Sequence, residues 1–172
     1  LASYSDLICP GCYIGKRLLE QAGKHLQPDA KLNVEWHPFE LNVQMKPEGM
    51  DRKEYRSAKF GSWSYSQKLD AQVSDAGQEV GLVFNFDAIQ RTPNTLDSHR
   101  LVWLARQHDL QDALVEQLFE AYFVSGRDLS NTKVIAELAI EVGLPADEVK
   151  SLLASDLGLH EVRTQERCAC EV

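Results

Sequence analysis

The sequence predicts an α/β fold in which a βαβ unit at the N-terminus is followed by a large helical segment. Two short stretches, residues 1–8 and 32–37, have the length and the apolar content of strands, and a helical pattern separates them. From about residue 51 onward, most apolar residues recur at helical spacing. A strand, a crossover helix and a second strand are expected to place the two strands side by side and parallel.

The first helix is predicted to begin at the motif Cys9-Pro10-Gly11-Cys12. Pro10 suits the first helical turn because its missing N–H would have no intrahelical partner there. The residues that follow divide into an apolar face and a charged face, formed by Ile14, Leu18, Leu19, Ala22 and Leu26 and by Lys16, Arg17, Glu20 and Lys24. In the second strand, Leu32, Val34 and Trp36 alternate with polar residues up to Pro38.

Capping and breaking residues divide the rest of the chain into helices. Asp51 and Glu54 have the spacing of a capping box, and Gly61 is expected to end the helix that they begin. Further helices are predicted at residues 64–79, 95–108, 111–125 and 131–142, from 146, and from 159 to the end. Residues 83–86 are apolar, but the run is too short to assign to a strand or a helix.

Composition narrows the range of functions. Of the 172 residues, 44% are apolar and 26% are charged, as in ordinary globular proteins. With 18 basic and 26 acidic residues the net charge is −8, so the basic surface of a nucleic-acid or anionic-membrane binder is missing. No apolar run approaches the roughly 20 residues of a membrane-spanning helix, and no secretory signal is visible. We therefore expect a cytoplasmic protein with no nucleic-acid or membrane partner.

The four cysteines occur as two close pairs, Cys9/Cys12 and Cys168/Cys170. At a helix start, the first sulfur of a Cys-x-x-Cys motif lies over the free N–H groups of the first turn. Their partial positive charge, with the neighbouring thiol, is expected to make Cys9 partly thiolate, and Cys12 would resolve a mixed disulfide. A Cys-x-x-Cys motif between a strand and a helix is typical of thioredoxin-like redox proteins.

Zinc binding is the main alternative for these cysteines, because Cys168 and Cys170 could complete a four-thiolate site. Their Cys-x-Cys spacing is shorter than the usual gap between paired zinc ligands, so we expect no metal. Cys168 and Cys170 are interpreted first as small residues of a terminal helix and second as an auxiliary redox pair.

Several residues near the motif are candidates for contact with a substrate: Pro10, Gly11, Tyr13 and His37. For His37 a partly exposed position at the strand end is the favoured interpretation. Lys16 could stabilise the Cys9 thiolate, but a solvated surface lysine is favoured. His99 and Arg100 are expected to form contacts within the protein, and the aromatic residues are expected to pack in the core: Trp36, Trp63, Trp103, Phe119, Tyr122 and Phe123.

These segments together resemble a known family. Residues 4–16 (YSDLICPGCYIGK) resemble the active-site segment of the DsbA-like thioredoxin superfamily, in particular its FrnE-like branch of predicted disulfide isomerases. Residues 36–42 (WHPFELN) are similar to the strand and loop after the first helix of that branch. Residues 94–101 (NTLDSHRL), 118–123 (LFEAYF) and 126–129 (GRDL) resemble segments of its inserted helical domain.

The resemblance implies a thioredoxin-like βαβ unit with a large inserted all-helical domain. Residues 1–45 would form the N-terminal half of the thioredoxin-like domain, residues 46–158 the helical insertion, and residues 159–172 a helix that returns to the first domain. Members of the family continue with a Gly-Val-Pro segment, two strands and a final helix, so the C-terminal strands are expected to be missing from this sequence. The branch commonly carries Trp where Gly11 stands, which implies an altered reduction potential or substrate choice.

The function implied by the resemblance is thiol–disulfide exchange, by an oxidoreductase or isomerase with Cys9 as nucleophile and Cys12 as resolving thiol. The expected partners are protein or small-molecule thiols and disulfides. No bound cofactor is expected, although glutathione could act as a co-substrate, and a homodimer is left open. One alternative is a glutathione-dependent transferase or isomerase of the kappa type, although these enzymes carry Ser in place of the first Cys. Another is a non-catalytic module that binds peptides or is stabilised by zinc.

Overall fold

The computed structural model describes residues 1–26 and 32–170, without the side chain of Cys170. The N-terminal unit contains strand β1 (Ala2–Ser5), helix α1 (Pro10–Lys24) and strand β2 (Glu35–Pro38). A two-residue strand, β3 (Met50–Asp51), leads into helices α2 (Arg52–Phe60) and α3 (Trp63–Glu79). After strand β4 (Arg91–Thr92) come five helices: α4 (Leu96–Arg106), α5 (Gln111–Phe123), α6 (Thr132–Glu141), α7 (Ala146–Leu153) and α8 (Leu159–Cys170).

The predicted βαβ unit is present, and its two strands are parallel. They pair in register from Ala2 with Glu35 to Ser5 with Pro38. Both strands are shorter than the apolar stretches that predicted them. The first strand ends at Ser5 because the chain then turns, with the Cys9 amide donating to the Asp6 carbonyl at 3.1 Å. This tight turn places the cysteine motif directly at the carboxyl end of β1.

Side-chain caps fix several helix starts where the sequence predicts them. The Asp51 carboxylate accepts a hydrogen bond from the Glu54 amide at 2.9 Å, and Gly61 ends α2 with a φ of 90°. Asn131 caps α6 by accepting from the Lys133 amide at 3.0 Å. Residues 83–86, which the sequence left unassigned, lead into a short 3-10 helix at Phe86–Ala88.

A second, two-stranded sheet was not predicted. Strands β3 and β4 are antiparallel, with Met50 opposite Thr92 and Asp51 opposite Arg91. Two residues per strand are too few for an alternating pattern to be visible in the sequence. Gly49 precedes β3 with a φ of 72°, and a Cβ atom there would lie 2.7 Å from the Thr92 carbonyl oxygen. The close approach of the two segments therefore requires glycine at this position.

A single apolar core joins the N-terminal unit to the helices. Tyr13 of α1 stacks on Phe119 of α5, with ring centroids 4.8 Å apart. Trp36 of β2 meets the edge of the same Phe119 ring at 6.5 Å. Phe119, Tyr122 and Phe123 are buried, as is Trp36, so the predicted packing role of these aromatic residues is confirmed. None of the helices in the described residues is both long and apolar enough to span a bilayer.

Candidate active site

The two cysteines of the motif meet at the turn between β1 and α1. Cys9 is the N-cap residue of α1, with an extended backbone, and Pro10 occupies the first helical position as predicted. The Cys9 carbonyl accepts hydrogen bonds from the amides of Cys12 at 3.1 Å and Tyr13 at 3.3 Å. Both thiols are free and half-buried, and Cys12 packs against the apolar core. The first turn of α1 thus holds two free, half-buried thiols.

The hydrogen bond between the two sulfur atoms determines how the pair ionises. Because the Cys9 thiol donates to the Cys12 sulfur, the pKa of Cys12 falls to about 6. Hydrogen bonds from the Asp6 amide and the Ser5 hydroxyl act in the same direction on this pKa, while burial and the Asp6 carboxylate oppose them. The same sulfur–sulfur hydrogen bond, together with burial, raises the pKa of Cys9 far above its ordinary value.

This charge distribution differs from the sequence-based expectation that Cys9 holds the thiolate. Cys9 is the N-cap residue, but its side chain forms no capping hydrogen bond with the helix. The donated proton and the burial of Cys9 outweigh the stabilisation that the helix N-terminus offers. The two thiols therefore titrate as a coupled pair, in which the pKa of Cys12 is lowered and that of Cys9 is raised.

A buried acid–imidazole pair, Asp6 and His99, lies close to the dithiol. Its acidic member, Asp6, was not predicted from the sequence. Asp6 is 1% exposed and His99 is 4% exposed, with His99 Nε2 3.3 Å from Asp6 Oδ1. The other oxygen, Asp6 Oδ2, accepts a hydrogen bond from the Leu41 amide at 2.7 Å. A polar residue at the end of an apolar strand is the signal that could have singled out Asp6.

Gly11 and Pro10 are at the surface beside the Cys9 sulfur. Gly11 is exposed, and a Cβ atom at this position would lie 3.8 Å from Cys9 Sγ. Any larger residue would therefore cover part of the sulfur atom. Pro10 borders a cavity of about 300 Å³ between the motif and the helices α2 and α3. We call this cavity the α2–α3 pocket; its lining includes Ile8, Pro10, Asn42, Arg52, Tyr55, Arg56, Lys59, Phe60 and Asp70.

Two of the predicted substrate contacts lie elsewhere. Tyr13 is only 2% exposed, and its hydroxyl donates to Glu116 Oε1 at 2.9 Å. Tyr13 is therefore a core residue of the interface between α1 and α5, which corrects the prediction that it contacts substrate. His37 stacks on Tyr4 with ring centroids 5.0 Å apart, and its Nε2 is 3.5 Å from Glu35 Oε2. These contacts of His37 are with residues of the two paired strands, β1 and β2.

Lys16 is not the solvated surface lysine that the sequence suggested. It is 3% exposed, and its Nζ forms ion pairs with Glu20, with Asp112 and, at 3.0 Å, with Glu116. The carboxylates from α5 lie about a hundred residues away in the chain, so the local sequence pattern does not reveal them. In contrast, Arg100 forms internal contacts as expected, since it pairs with Asp97 at 2.8 Å and donates to the Leu157 carbonyl at 2.9 Å.

The C-terminal cysteines, Cys168 and Cys170, lie at the end of α8. Cys168 is an exposed free thiol on α8, whereas the side chain of Cys170 lies outside the described residues. The hypothesis of an auxiliary redox pair, and its zinc-binding alternative, therefore stay predictions. Among the side chains that the structure describes, no group of three or more His, Cys, Asp or Glu residues is arranged to hold a metal ion.

A Cys-x-x-Cys pair at the strand-to-helix turn of a βαβ unit is typical of the thioredoxin-like class of redox proteins. The model of the DSBA-like thioredoxin domain matches residues 1–172, so the chain belongs to this family. Its fold is that of a DsbA-like thioredoxin domain with a helical insertion.

Three known proteins are similar to this chain. The structure is similar to that of a probable DsbA oxidoreductase from Streptomyces coelicolor, with a TM-score of 0.90, 28% identity, and coverage of 99% of this chain and 74% of that one. The cytosolic disulfide reductase DsbM from Pseudomonas aeruginosa, solved with GSH, has a TM-score of 0.69 at 20% identity and covers 99% of this chain and 79% of its own. The protein YwbO of Bacillus subtilis is 27% identical over 154 residues, which are 87% of this chain and 69% of that protein.

Proposed function

We propose that this protein is a thiol–disulfide oxidoreductase in which Cys9 is the nucleophile and Cys12 the resolving thiol. The observation that carries the proposal is the pair of free thiols, Cys9 and Cys12, at the first turn of α1. Cys12 packs inward against the core, whereas Cys9 adjoins the exposed Gly11. The outer sulfur is the one that a substrate disulfide can approach in line.

The proposed reaction begins when a proton moves from Cys9 to Cys12, which makes Cys9 the thiolate. Cys9 Sγ then attacks one sulfur of the substrate disulfide, the substrate S–S bond breaks, and the other substrate sulfur leaves as a thiol after taking a proton. Cys12, which has given its proton to that leaving sulfur, then attacks Cys9 Sγ. The bond between Cys9 and the substrate breaks, and the second substrate sulfur leaves as a thiolate that takes a proton from water. The enzyme is oxidised by two electrons to a Cys9–Cys12 disulfide, and the substrate is reduced by two electrons to two thiols.

The proposal also includes net reduction of the substrate, the direction written above, and an isomerase activity. Glutathione could regenerate the dithiol, and the solved complex of the Pseudomonas reductase with GSH supports this role for a protein of the same fold. The name of that neighbour, a cytosolic reductase, also supports a cytoplasmic location. Membership of the FrnE-like branch and a homodimer stay predictions.

Replacement of the single cysteines tests the proposed roles. Cys9→Ser should reduce the turnover of a fluorescent model peptide disulfide to the uncatalysed rate. Cys12→Ser should retain the first attack and accumulate a mixed disulfide on Cys9, which intact-protein mass spectrometry detects. Cys168→Ser, which removes an exposed thiol on α8, is the matched control and should keep the parent rate. The proposal is wrong if Cys9→Ser turns the disulfide over as fast as the parent.

A further inference from the structure

The α2–α3 pocket begins at the residues on either side of the nucleophilic cysteine. Ile8 and Pro10 form one wall, and the opposite wall comes from α2 and α3. Its volume of about 300 Å³ is at the lower end of the range for small-molecule sites in proteins. Any group bound there is held by the helical segment while it lies next to Cys9.

The charge of this pocket is opposite to that of the protein as a whole. Three cationic side chains line it, Arg52, Arg56 and Lys59, whereas Asp70 is the single carboxylate among the lining residues. Asp70 is shared between Arg52 and Arg56, with a distance of 2.8 Å to each guanidinium. The lining thus carries surplus positive charge in a chain whose net charge is −8.

The charge of Arg52 is the most buried of the three. The residue is 4% exposed, and an arginine remains protonated even when it is buried. A second arginine lies on the same carboxylate, so one negative charge offsets two positive ones. A buried excess of cations is costly unless an anion from outside compensates for it.

A buried hydrogen-bond donor of the same pocket, Asn42 Nδ2, has no partner in the part of the chain that the structure describes. Lys59 Nζ donates to the Tyr55 hydroxyl at 3.1 Å, and that hydroxyl in turn donates to Asn42 Oδ1 at 2.5 Å. The two contacts fix the Asn42 amide so that its Nδ2 is left over. Within the described residues this buried Nδ2 atom forms no hydrogen bond. An unsatisfied buried donor costs about 1–3 kcal/mol, which an acceptor from a ligand would recover.

We propose that the α2–α3 pocket binds a carboxylate of the thiol or disulfide substrate, with Asn42 Nδ2 and Lys59 Nζ as the recognising donors and Arg52 and Arg56 as the supporting positive charge. The identification of the ligand as a substrate rests on the proposed function, whereas the anion site itself does not depend on it. The carboxylate can come from a small peptide thiol such as glutathione or from an acidic residue next to a protein cysteine. Both sources present a carboxylate close to a sulfur atom.

Binding of S-methylated probes tests the site without any redox step. Isothermal titration calorimetry would compare S-methylglutathione with its dimethyl ester, and a Glu-Cys-Glu peptide, blocked at both ends and S-methylated, with its Gln-Cys-Gln counterpart. At least one acidic probe should bind about tenfold more tightly than its neutral counterpart, the effect of one charge-assisted hydrogen bond. The probe that shows the preference identifies the source of the carboxylate.

Variants of two residues should abolish this preference. Asn42→Asp has the same shape and still accepts from Tyr55, but it replaces the free donor by an acceptor and adds a negative charge. Lys59→Gln removes the exposed cation. Lys53→Gln removes an exposed cation of the same helix that does not line the pocket, and it should retain the preference. Thermal melting of each variant checks that it is folded.

The inference is overturned if acidic and neutral probes bind the parent protein equally, or if neither binds. A preference that survives in both Asn42→Asp and Lys59→Gln would also contradict it. None of these results bears on whether Cys9 is the nucleophile, because the probes carry no free thiol. Conversely, if the cysteine variants contradict the proposed reaction mechanism, the inference of an anion site is unaffected.

Discussion

At the residue scale, the dithiol differs from an isolated cysteine because its two sulfur atoms share a proton. Cys12 receives hydrogen bonds from the Cys9 thiol, the Asp6 amide and the Ser5 hydroxyl, and its pKa is accordingly about 6. The ordinary value for a cysteine is 9.0. Near neutral pH the pair is therefore singly ionised, which is the state that thiol–disulfide exchange requires.

The pH dependence of this ionisation can be measured by the thiolate absorbance at 240 nm. In the reduced parent protein one thiolate should appear with a midpoint near pH 6. Cys9→Ala removes the donating thiol, so the Cys12 midpoint should move upward toward 9.0, its ordinary value. Cys168→Ser serves as the background for the exposed thiol and should keep the low midpoint. An unchanged midpoint in Cys9→Ala would show that the sulfur–sulfur hydrogen bond is not the cause.

The sequence predicts the chemistry of this site better than its surroundings. The cysteine spacing, the Pro10 position and the strand before them are local features, and local features are visible in a sequence. Asp6 and His99 are 93 residues apart in the sequence. Asn42 is held in the α2–α3 pocket by a hydrogen bond from the Tyr55 hydroxyl, which in turn accepts one from Lys59. Contacts of this kind depend on tertiary packing, so neither the buried Asp6–His99 pair nor the anion site could be predicted.

At the element scale, ion pairs and a hydrogen bond connect α8 to Glu40, which follows the end of β2. The Glu40 amide donates to Glu166 Oε1 at 2.9 Å, and Arg163 pairs with both Glu40 and Glu166. Glu40 is buried, and its Oε2 atom has no hydrogen-bond partner within the described residues. Burial and the nearby Glu166 carboxylate raise the pKa of Glu40 to about 7, although Arg163 acts in the opposite direction.

This raised pKa predicts that the protein loses stability as the pH rises. Between pH 4.5, the ordinary value, and about 7, the folded state keeps a Glu40 proton that the unfolded state has lost. The contribution is therefore complete below pH 4.5 and is lost as the pH passes 7, by an amount of the order of 2 kcal/mol. Urea unfolding of the parent and of Glu40→Gln should show this loss only in the parent.

Glu161→Gln is the matched control for this measurement, because Glu161 is an exposed glutamate of α8, the helix that contacts Glu40. It should reproduce the parent's dependence on pH. A Glu40→Gln variant with the parent's slope between pH 4.5 and 7 would assign the dependence to another group. The strand–helix order and the helix caps were predictable from the sequence, but this attachment was not, because Glu40 and Arg163 lie 123 residues apart.

At the scale of the whole molecule, the N-terminal unit and the helical segment share one core. Phe119 of α5 is fully buried and lies against Tyr13 of α1 and Trp36 of β2. The Tyr13 hydroxyl and Arg17 both bind Glu116, also on α5. The sequence resemblance separates residues 1–45 from residues 46–158, whereas the packing connects them through these side chains.

A shared core should make unfolding a single transition. Phe119→Ala should cost about 3–5 kcal/mol, the usual effect of removing a buried phenyl ring. Val83→Ala, at a side chain 72% exposed, should change the stability by less than about 0.5 kcal/mol. Tryptophan fluorescence and far-ultraviolet circular dichroism should give coincident urea curves in all three proteins. Two separate transitions in the parent would show that the segments fold independently.

The Tyr13–Phe119 contact also bears on how a substrate enters. Because α1 is fixed to α5 by stacked aromatic rings and by the pairs to Glu116, a movement of α5 away from the cysteine motif would break these contacts. Arg52 and Arg56 of α2 are in turn fixed to Asp70 of α3. We therefore expect the walls of the α2–α3 pocket to be preorganised, with little conformational entropy left to lose on binding. Selectivity then resides in the fit of the incoming molecule to a rigid template, and association should proceed in one kinetic step.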